Sequence, residues 1–500
     1  MHPPSLGDNT ADVDRLVKNI KRLTGADNVS IPFPLVKRIP SLLREYEYRC
    51  NAVLYAVNKS SRVIELYPGG NSVNIFAAAI DLGSSTIVLR ILNLISGENL
   101  GEVSFTNPQC EIANDILGRI HFASENNGLT YLHDILAREI NKEMGALQER
   151  LGIKTPEIVG LAVAGNTAMT HFFLGLDPYW ICREPYIPVV NSPDIISPTD
   201  IGINIHPDAP VVVMPGAGSY LGGDVIAGVL ASGMNKRKET SLLVDVGTNA
   251  EVVLGNSEWL MACAGAAGPA LEGGVADMGM MAGPGAIDKV VIDPASKEIG
   301  FTTIGGGVPA GICGSGLIDL AAHLFLSGMI DMQGKFDENA CSGRLSDIDG
   351  VKNLLIVPGA GTESGNDLFI SQTDINALIR SKAAMYTILN TITGMANIDI
   401  KKIDRFYIAG TFGAYIDPVS AISIGMIPDL PPDRYVSIGN TSIEGASMAL
   451  LSLESFKEVY RIRDMVTYIE LNVNQEFMNN FSAAKFIPHT DRSLFPSVTV

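Results

Sequence analysis

The sequence predicts an α/β protein built from two copies of one unit, preceded by a small α+β module, and three observations predict it. Two acidic turns of the same kind each follow an apolar run: residues 77–80 lead into Asp81, Leu82, Gly83, Ser84, Ser85 and Thr86, and residues 242–244 lead into Asp245, Val246, Gly247, Thr248, Asn249 and Ala250. A β-rich run resumes after each turn, at 87–92 and 251–254, so each reads as a hairpin bent at its glycine. The order of strand, glycine turn and helix then recurs once along the chain, which is the mark of an internal duplication.

Residues 1–75 stand apart. Val13, Leu16, Val17, Ile20 and Leu23 keep helical spacing, and the stretches 52–57 and 62–67 read as strands closed by Pro68, Gly69 and Gly70. The first lobe, 76–240, opens with the Asp81 hairpin and continues through a helix near 130–150. A strand at 158–163 then runs into Gly165, Asn166 and Thr167, and another at 211–214 runs into Pro215, Gly216, Ala217 and Gly218. The second lobe, 241–455, opens with the Asp245 hairpin and places a helix after Gly311, Ile312, Cys313, Gly314, Ser315 and Gly316. Its strands at 406–408 and 435–438 end at Gly410 and Gly439, and the latter enters a helix at 442–451. The tail, 456–500, carries a charged helix and a short strand and is expected to pack on the second lobe.

A chain of 500 residues with 46% hydrophobic content can fill two or three cores. Its net charge of −18 repels nucleic acid and anionic membranes, so neither is expected as a partner. No apolar run reaches the roughly 18 residues of a membrane span, and the start lacks the layout of a signal peptide, so a cytoplasmic location is expected. Six cysteines contain no C-x-x-C pair and seven histidines no H-x-x-x-H pair. Reduced thiols are expected, with no iron–sulfur cluster in this chain.

The twin turns carry the chemistry. Gly83 and Gly247 let the backbone approach a ligand closely, while Ser84, Ser85, Thr86, Thr248 and Asn249 offer donors to phosphate oxygens. Asp81 and Asp245 can each face Mg²⁺, directly or through its water. Two such hairpins facing one another would clamp the phosphates of ATP. A third turn, Gly410, Thr411, Phe412 and Gly413 followed by Tyr415, would let adenine and ribose lie against backbone; in isolation it reads equally as a plain strand-to-helix connection. The turn from Gly216 to Gly222 resembles a dinucleotide fingerprint but lacks the G-x-G-x-x-G spacing. It is read instead as the start of the helix linking the lobes, with Asp224 directed at the γ-phosphate to orient the attacking water and helix capping as the alternative. Residues 263–287, small and rich in methionine, fit a flat apolar partner or packing between lobes equally well.

With these elements assembled, the chain resembles the superfamily of acetate and sugar kinases, heat-shock 70 proteins and actin. Within it, the chain is similar to the reductive activators of corrinoid enzymes. The segments that carry this are residues 79–86, Asn107-Pro108-Gln109, residues 164–169, 243–251, 266–270, 311–319 and 409–413. The resemblance implies duplicated actin-like (ribonuclease H-like) ATPase lobes and ATP with Mg²⁺ as cofactors. Asp224, Asp81 and Asp245 remain the catalytic candidates read from the turns, and the resemblance implies a corrinoid protein of a methyltransferase system as partner, whose Co(II) state is reduced to Co(I) at the expense of ATP. Family members commonly carry an iron–sulfur domain, so an external ferredoxin-like donor is expected to supply the electron. Whether the chain forms a homodimer is left open. Two other readings remain at this stage: a small-metabolite kinase of the same superfamily, and a non-enzymatic ATP-binding regulator.

Overall fold

The computed structural model describes residues 1–70, 73–247, 249–266, 276–410, 416–471 and 475–499. Contacts divide the chain into two units, Met1–Met214 with Ala446–Phe456, and Pro215–Gly445 with Lys457–Val500.

The first unit begins with α1 (Asp12–Thr24), β1 (Asn28–Ser30), α2 (Phe33–Glu45) and the hairpin β2 (Cys50–Val57) and β3 (Ser60–Pro68). The sequence predicts α1 and the hairpin but not α2 or β1. Three prolines disguise α2. Pro34 sits in the first turn, where a missing N–H costs nothing, and Pro40 is carried inside because Leu35, Ile39, Leu42 and Leu43 all bury against α1 and the hairpin.

Next come β4 (Phe76–Leu82), β5 (Thr86–Asn93), β6 (Asn99–Thr106), α3 (Ile116–Ala123), α4 (Gly128–Leu151), β7 (Ile158–Gly165), α5 (Thr167–Leu174) and β8 (Val211–Val213). They form a sheet in the order β6-β5-β4-β7-β8, with β4 antiparallel to β5 and parallel to β7. Both β4 and β7 lie in the interior of this sheet, which is why residues 76–80 and 158–165 read as unbroken apolar runs. In α4, Leu132, Leu136, Ile140, Met144 and Leu147 recur at three- and four-residue steps and fill the core over the sheet. Gly152, at φ 69°, ends that helix in the left-handed conformation.

The second unit opens with α6 (Gly223–Ser232), β9 (Ser241–Val246), β10 (Asn249–Gly255) and β11 (Leu260–Ala266). Two small sheets follow, β12 (Ala286–Ile292) with β13 (Ile299–Thr303) and β14 (Gly311–Ile312), then, after α7 (Gly314–Leu326), β15 (Leu345–Ile348) with β16 (Val351–Val357) and β17 (Leu368–Ser371). After α8 (Gln372–Met395) come β18 (Arg405–Ala409), β19 (Tyr435–Gly439) and, beyond two further helices, β20 (Val466–Tyr468). The main sheet runs β19-β18-β9-β10-β11-β20. Without β20 this is the strand order of the first unit with the same parallel and antiparallel neighbours, so the duplication predicted from the sequence holds strand by strand. The small sheets escape sequence reading because their strands are short and half-exposed.

The tail closes on the second unit. β20 pairs with β11, and Lys382 of α8, fully buried, donates from Nζ to the carbonyls of Phe486 (2.5 Å) and Pro488 (2.7 Å). Among the described residues no helix is long and apolar enough to cross a membrane.

Candidate functional site

In the first unit, Asp81, Gly83, Ser84, Ser85 and Thr86 lie together at the bend between β4 and β5, all half-buried. Asp81 sits in β4 opposite Val88 and Ala164. A Cβ on Gly83 would fall 2.2 Å from the carbonyl oxygen of Thr86, so only glycine closes this turn.

The bend is fastened from outside. Asn107, fully buried, donates from Nδ2 to the Gly83 carbonyl (2.9 Å) and from its backbone N–H to the Ser85 carbonyl (2.9 Å), while its Oδ1 accepts from the Gln109 N–H (3.0 Å). The Gln109 amide donates onward to the Leu132 carbonyl at 3.0 Å. At the end of β7, Gly165 comes so close to Leu82 that a Cβ would meet it at 2.9 Å, and Asn166 caps α5 by accepting from the Met169 N–H at 2.9 Å. The Asn107-Pro108-Gln109 motif, quoted above only for its resemblance, thus holds the bend in shape. No spacing rule could have revealed that, because it depends on a fold-back from β6.

In the second unit the structure brings together three predicted residues that lie far apart in sequence. Asp245, near the end of β9, is flanked by Glu251 of β10 and Ala409 of β18. Gly410 follows at φ 80°, and a Cβ there would lie 2.9 Å from Oδ1 of Asp245 and 3.4 Å from the carbonyl of Val246. The carboxylate therefore rests against bare backbone. Asp224 enters from the first turn of α6, which follows a loop closed by the Ala217 N–H donating to the Leu221 carbonyl at 2.8 Å. It does not cap the helix across a turn; its Oδ1 accepts from the adjacent Val225 N–H at 2.8 Å. Helix α6 is held close to its neighbours by small residues, with Gly228 against Thr441 and Leu243 and Gly445 against Ala227.

Burial pushes both carboxyls up. Asp245 rises to about 6 through loss of hydration, and Asp224 rises for the same cause with the charge of Asp245 adding to it. No cationic side chain enters the surroundings of either acid among the described residues. Two half-buried carboxyls placed together are a donor set that could hold a cation. Among the described residues no three His, Cys, Asp or Glu side chains stand together, so a metal here would draw its remaining ligands from water and substrate, the usual habit of Mg²⁺ with phosphates. Asn249 is exposed at the neighbouring bend, where its carbonyl accepts from the Gly247 N–H at 2.9 Å. Thr248, Thr411, Phe412, Gly413 and Tyr415 lie outside the described residues, as does 267–275 of the methionine-rich stretch.

One acid received no role from the sequence. Asp319 of α7 is buried at 6% exposure, with Oδ1 lacking a hydrogen-bond partner, and burial raises its carboxyl. It lies beside Ser420 and Asp417, which caps the helix Pro418–Ser423. Its signals were a single acid within a mostly apolar helix and its place at the end of the 311–319 segment.

Comparison with known proteins gives a consistent picture. The description "RACo linker region" matches residues 1–72, "RACo middle region" residues 76–237, and "C-terminal domain of RACo the ASKHA domain" residues 239–499. The corrinoid activation enzyme RamQ of Eubacterium limosum is 30% identical over 440 residues, covering 86% of this chain and 73% of that protein. The Co(II) methylated amine-specific corrinoid protein reductase of Methanosarcina barkeri is 24% identical over 442 residues, covering 81% and 76%. A solved structure titled reductive activator for corrinoid, iron-sulfur protein superposes with a TM-score of 0.92 at 37% identity, covering 99% of this chain and 79% of that one.

Proposed function

The chain belongs to the RACo family, and on that premise we propose that it hydrolyses ATP to drive the one-electron reduction of a corrinoid protein from Co(II) to Co(I). The balance is simple. Cobalt takes one electron from an external ferredoxin-like iron–sulfur donor, and ATP, which carries no electron, is split by water to ADP and phosphate. Hydrolysis supplies free energy by changing which protein states bind the partner, a population shift.

The observation that carries the reading is the half-buried pair Asp224 and Asp245, without a cationic side chain among the described residues and with Asp245 beside the bare backbone of Gly410, in a chain of this family. Asp245, and likewise Asp81 at the other acidic bend, would face Mg²⁺ through its water. That ion, when bound, neutralises phosphate charge. Asp224, whose raised carboxyl can take up a proton, orients the attacking water. Ser84, Ser85, Thr86, Thr248 and Asn249 with the amides of Gly83 and Gly247 hold phosphate oxygens, and the turn from Gly410 through Thr411, Phe412 and Gly413 to Tyr415 receives the adenosine.

The test is an anaerobic assay with a purified Co(II) corrinoid protein and a low-potential donor, following the Co(I) absorption band. Reduction is expected to require ATP, and ATP hydrolysis to rise when the partner is added. Reduction at the same rate without ATP, or transfer of phosphate to a small-molecule acceptor, overturns the reading.

A further inference from the structure

Arg119 of α3 is a cation sealed inside the first unit with no acid paired to it. It is fully buried, and burial works against its charge. Its donors reach one carbonyl and two sulfurs: Nε donates to the Ala113 carbonyl at 2.8 Å, Nη1 to Sδ of Met169 at 3.5 Å and Nη2 to Sγ of Cys110 at 3.2 Å. Asp115, four residues earlier, is exposed and accepts the Gly118 N–H at 2.8 Å as the cap of α3. Sulfur is a weak acceptor, whereas a buried guanidinium is ordinarily matched by a carboxylate or a phosphate.

Both sulfurs lead to the same bend. Sγ of Cys110 lies 3.7 Å from the Ser84 carbonyl and 3.9 Å from that of Ser85. Sδ of Met169 lies 3.7 Å from Nδ2 of Asn107, the amide that also donates to the Gly83 carbonyl at 2.9 Å. The carbonyls of Gly83, Ser84 and Ser85 therefore all turn toward the segment from Asn107 to Cys110, and the guanidinium stands behind that segment. The bend itself is half-buried, so an anion can reach it from solvent.

We infer that Arg119 is a positioning residue for nucleotide phosphate: it places a fixed positive charge behind the bend, and an anion held at Ser84 and Ser85 supplies the partner that charge lacks. The inference rests on the proposed function, which puts phosphate at this bend. A charge acting through a region shielded from water is screened less than one in solvent. Its contribution grows with the charge of the ligand and vanishes for an uncharged nucleoside.

The test measures the Kd of adenosine, ADP and ATP at fixed Mg²⁺ and ionic strength by isothermal titration calorimetry. It compares the full chain with Arg119→Gln, Arg119→Lys and Cys110→Asp, with circular dichroism reading the fold. Arg119→Gln is expected to leave adenosine unchanged, to weaken ADP about threefold and to weaken ATP at least tenfold. Arg119→Lys keeps the charge but loses the fork of donors, and is expected to stay within about threefold of wild type for all three ligands. Cys110→Asp gives the guanidinium a carboxylate of its own and is expected to reproduce the loss for ATP with Arg119 in place, which keeps the inference open to refutation if Arg119→Gln does not fold. If the lysine and glutamine variants weaken ATP alike, Arg119 only braces the bend and the inference is overturned. It is equally overturned if folded Arg119→Gln or folded Cys110→Asp keeps the wild-type affinity for ATP, while the proposed function stands. If the wild-type chain binds ATP no more tightly than adenosine, the phosphate site of the proposed function falls and the inference falls with it.

Discussion

At the scale of single residues, the informative conflict is between Asp245 and its surroundings. The backbone of Gly410 excludes water from one side of the carboxylate and no cationic side chain among the described residues repays the lost hydration, so the proton is held up to about 6. The folded chain then binds more protons than the unfolded chain across the interval from the ordinary carboxylate value to about 6. Stability of the nucleotide-free protein therefore falls as pH rises through that window, and the penalty persists above it. Asp245→Asn is expected to melt higher than wild type at pH 7.5, to lose that advantage near pH 4, and to hydrolyse ATP at least tenfold more slowly; differential scanning calorimetry at the two pH values with an ATPase assay checks all three. The sequence shows Asp245 and Gly410 as separate motifs. What it does not show is that they touch, because that contact is made by the pairing of β9 with β18.

Among elements, the ones that read cleanly are those whose burial matches a simple pattern: β4, apolar but for Asp81, the all-apolar β7, the stripe of α4, the hairpins at the two acidic bends. Elements that depend on long-range support do not read. Helix α2 hides behind its prolines, and the short helical turn Pro108–Glu111 looks like any loop until Asn107 is seen fastening the bend between β4 and β5. Replacing Asn107 with alanine removes a buried donor from the Gly83 carbonyl and the acceptor of the Gln109 N–H. The cost should be about 1–3 kcal/mol. The prediction is a lower urea midpoint together with a KM for ATP raised several-fold, because the element that shapes the turn proposed to hold phosphate is loosened while the acids stay in place. An unchanged KM with the same loss of stability would make the turn independent of its brace.

For the molecule as a whole, the duplicated strand order is what the repeated motifs announce, and the division of the chain is what they conceal. The first unit is not a continuous piece, since Ala446–Phe456 belongs to it. Within that unit Leu450 lies against Gly160 of β7 at the distance of ordinary contact, and Arg90 of β5 donates to the Ser447 hydroxyl at 3.4 Å. A fragment comprising residues 1–214 is thus expected to expose apolar surface at β7 and to exchange the amides of 158–165 faster than the full chain. Joining residues 446–456 to it through a flexible linker should restore much of the protection, as hydrogen-exchange mass spectrometry can read.

If the proposed site takes up Mg-ATP, the ion would offset the cost of keeping the two acids from water, and the empty chain would be the less durable form. When a cell runs short of nucleotide, degradation would then fall first on empty copies, and their number would shrink with the energy supply.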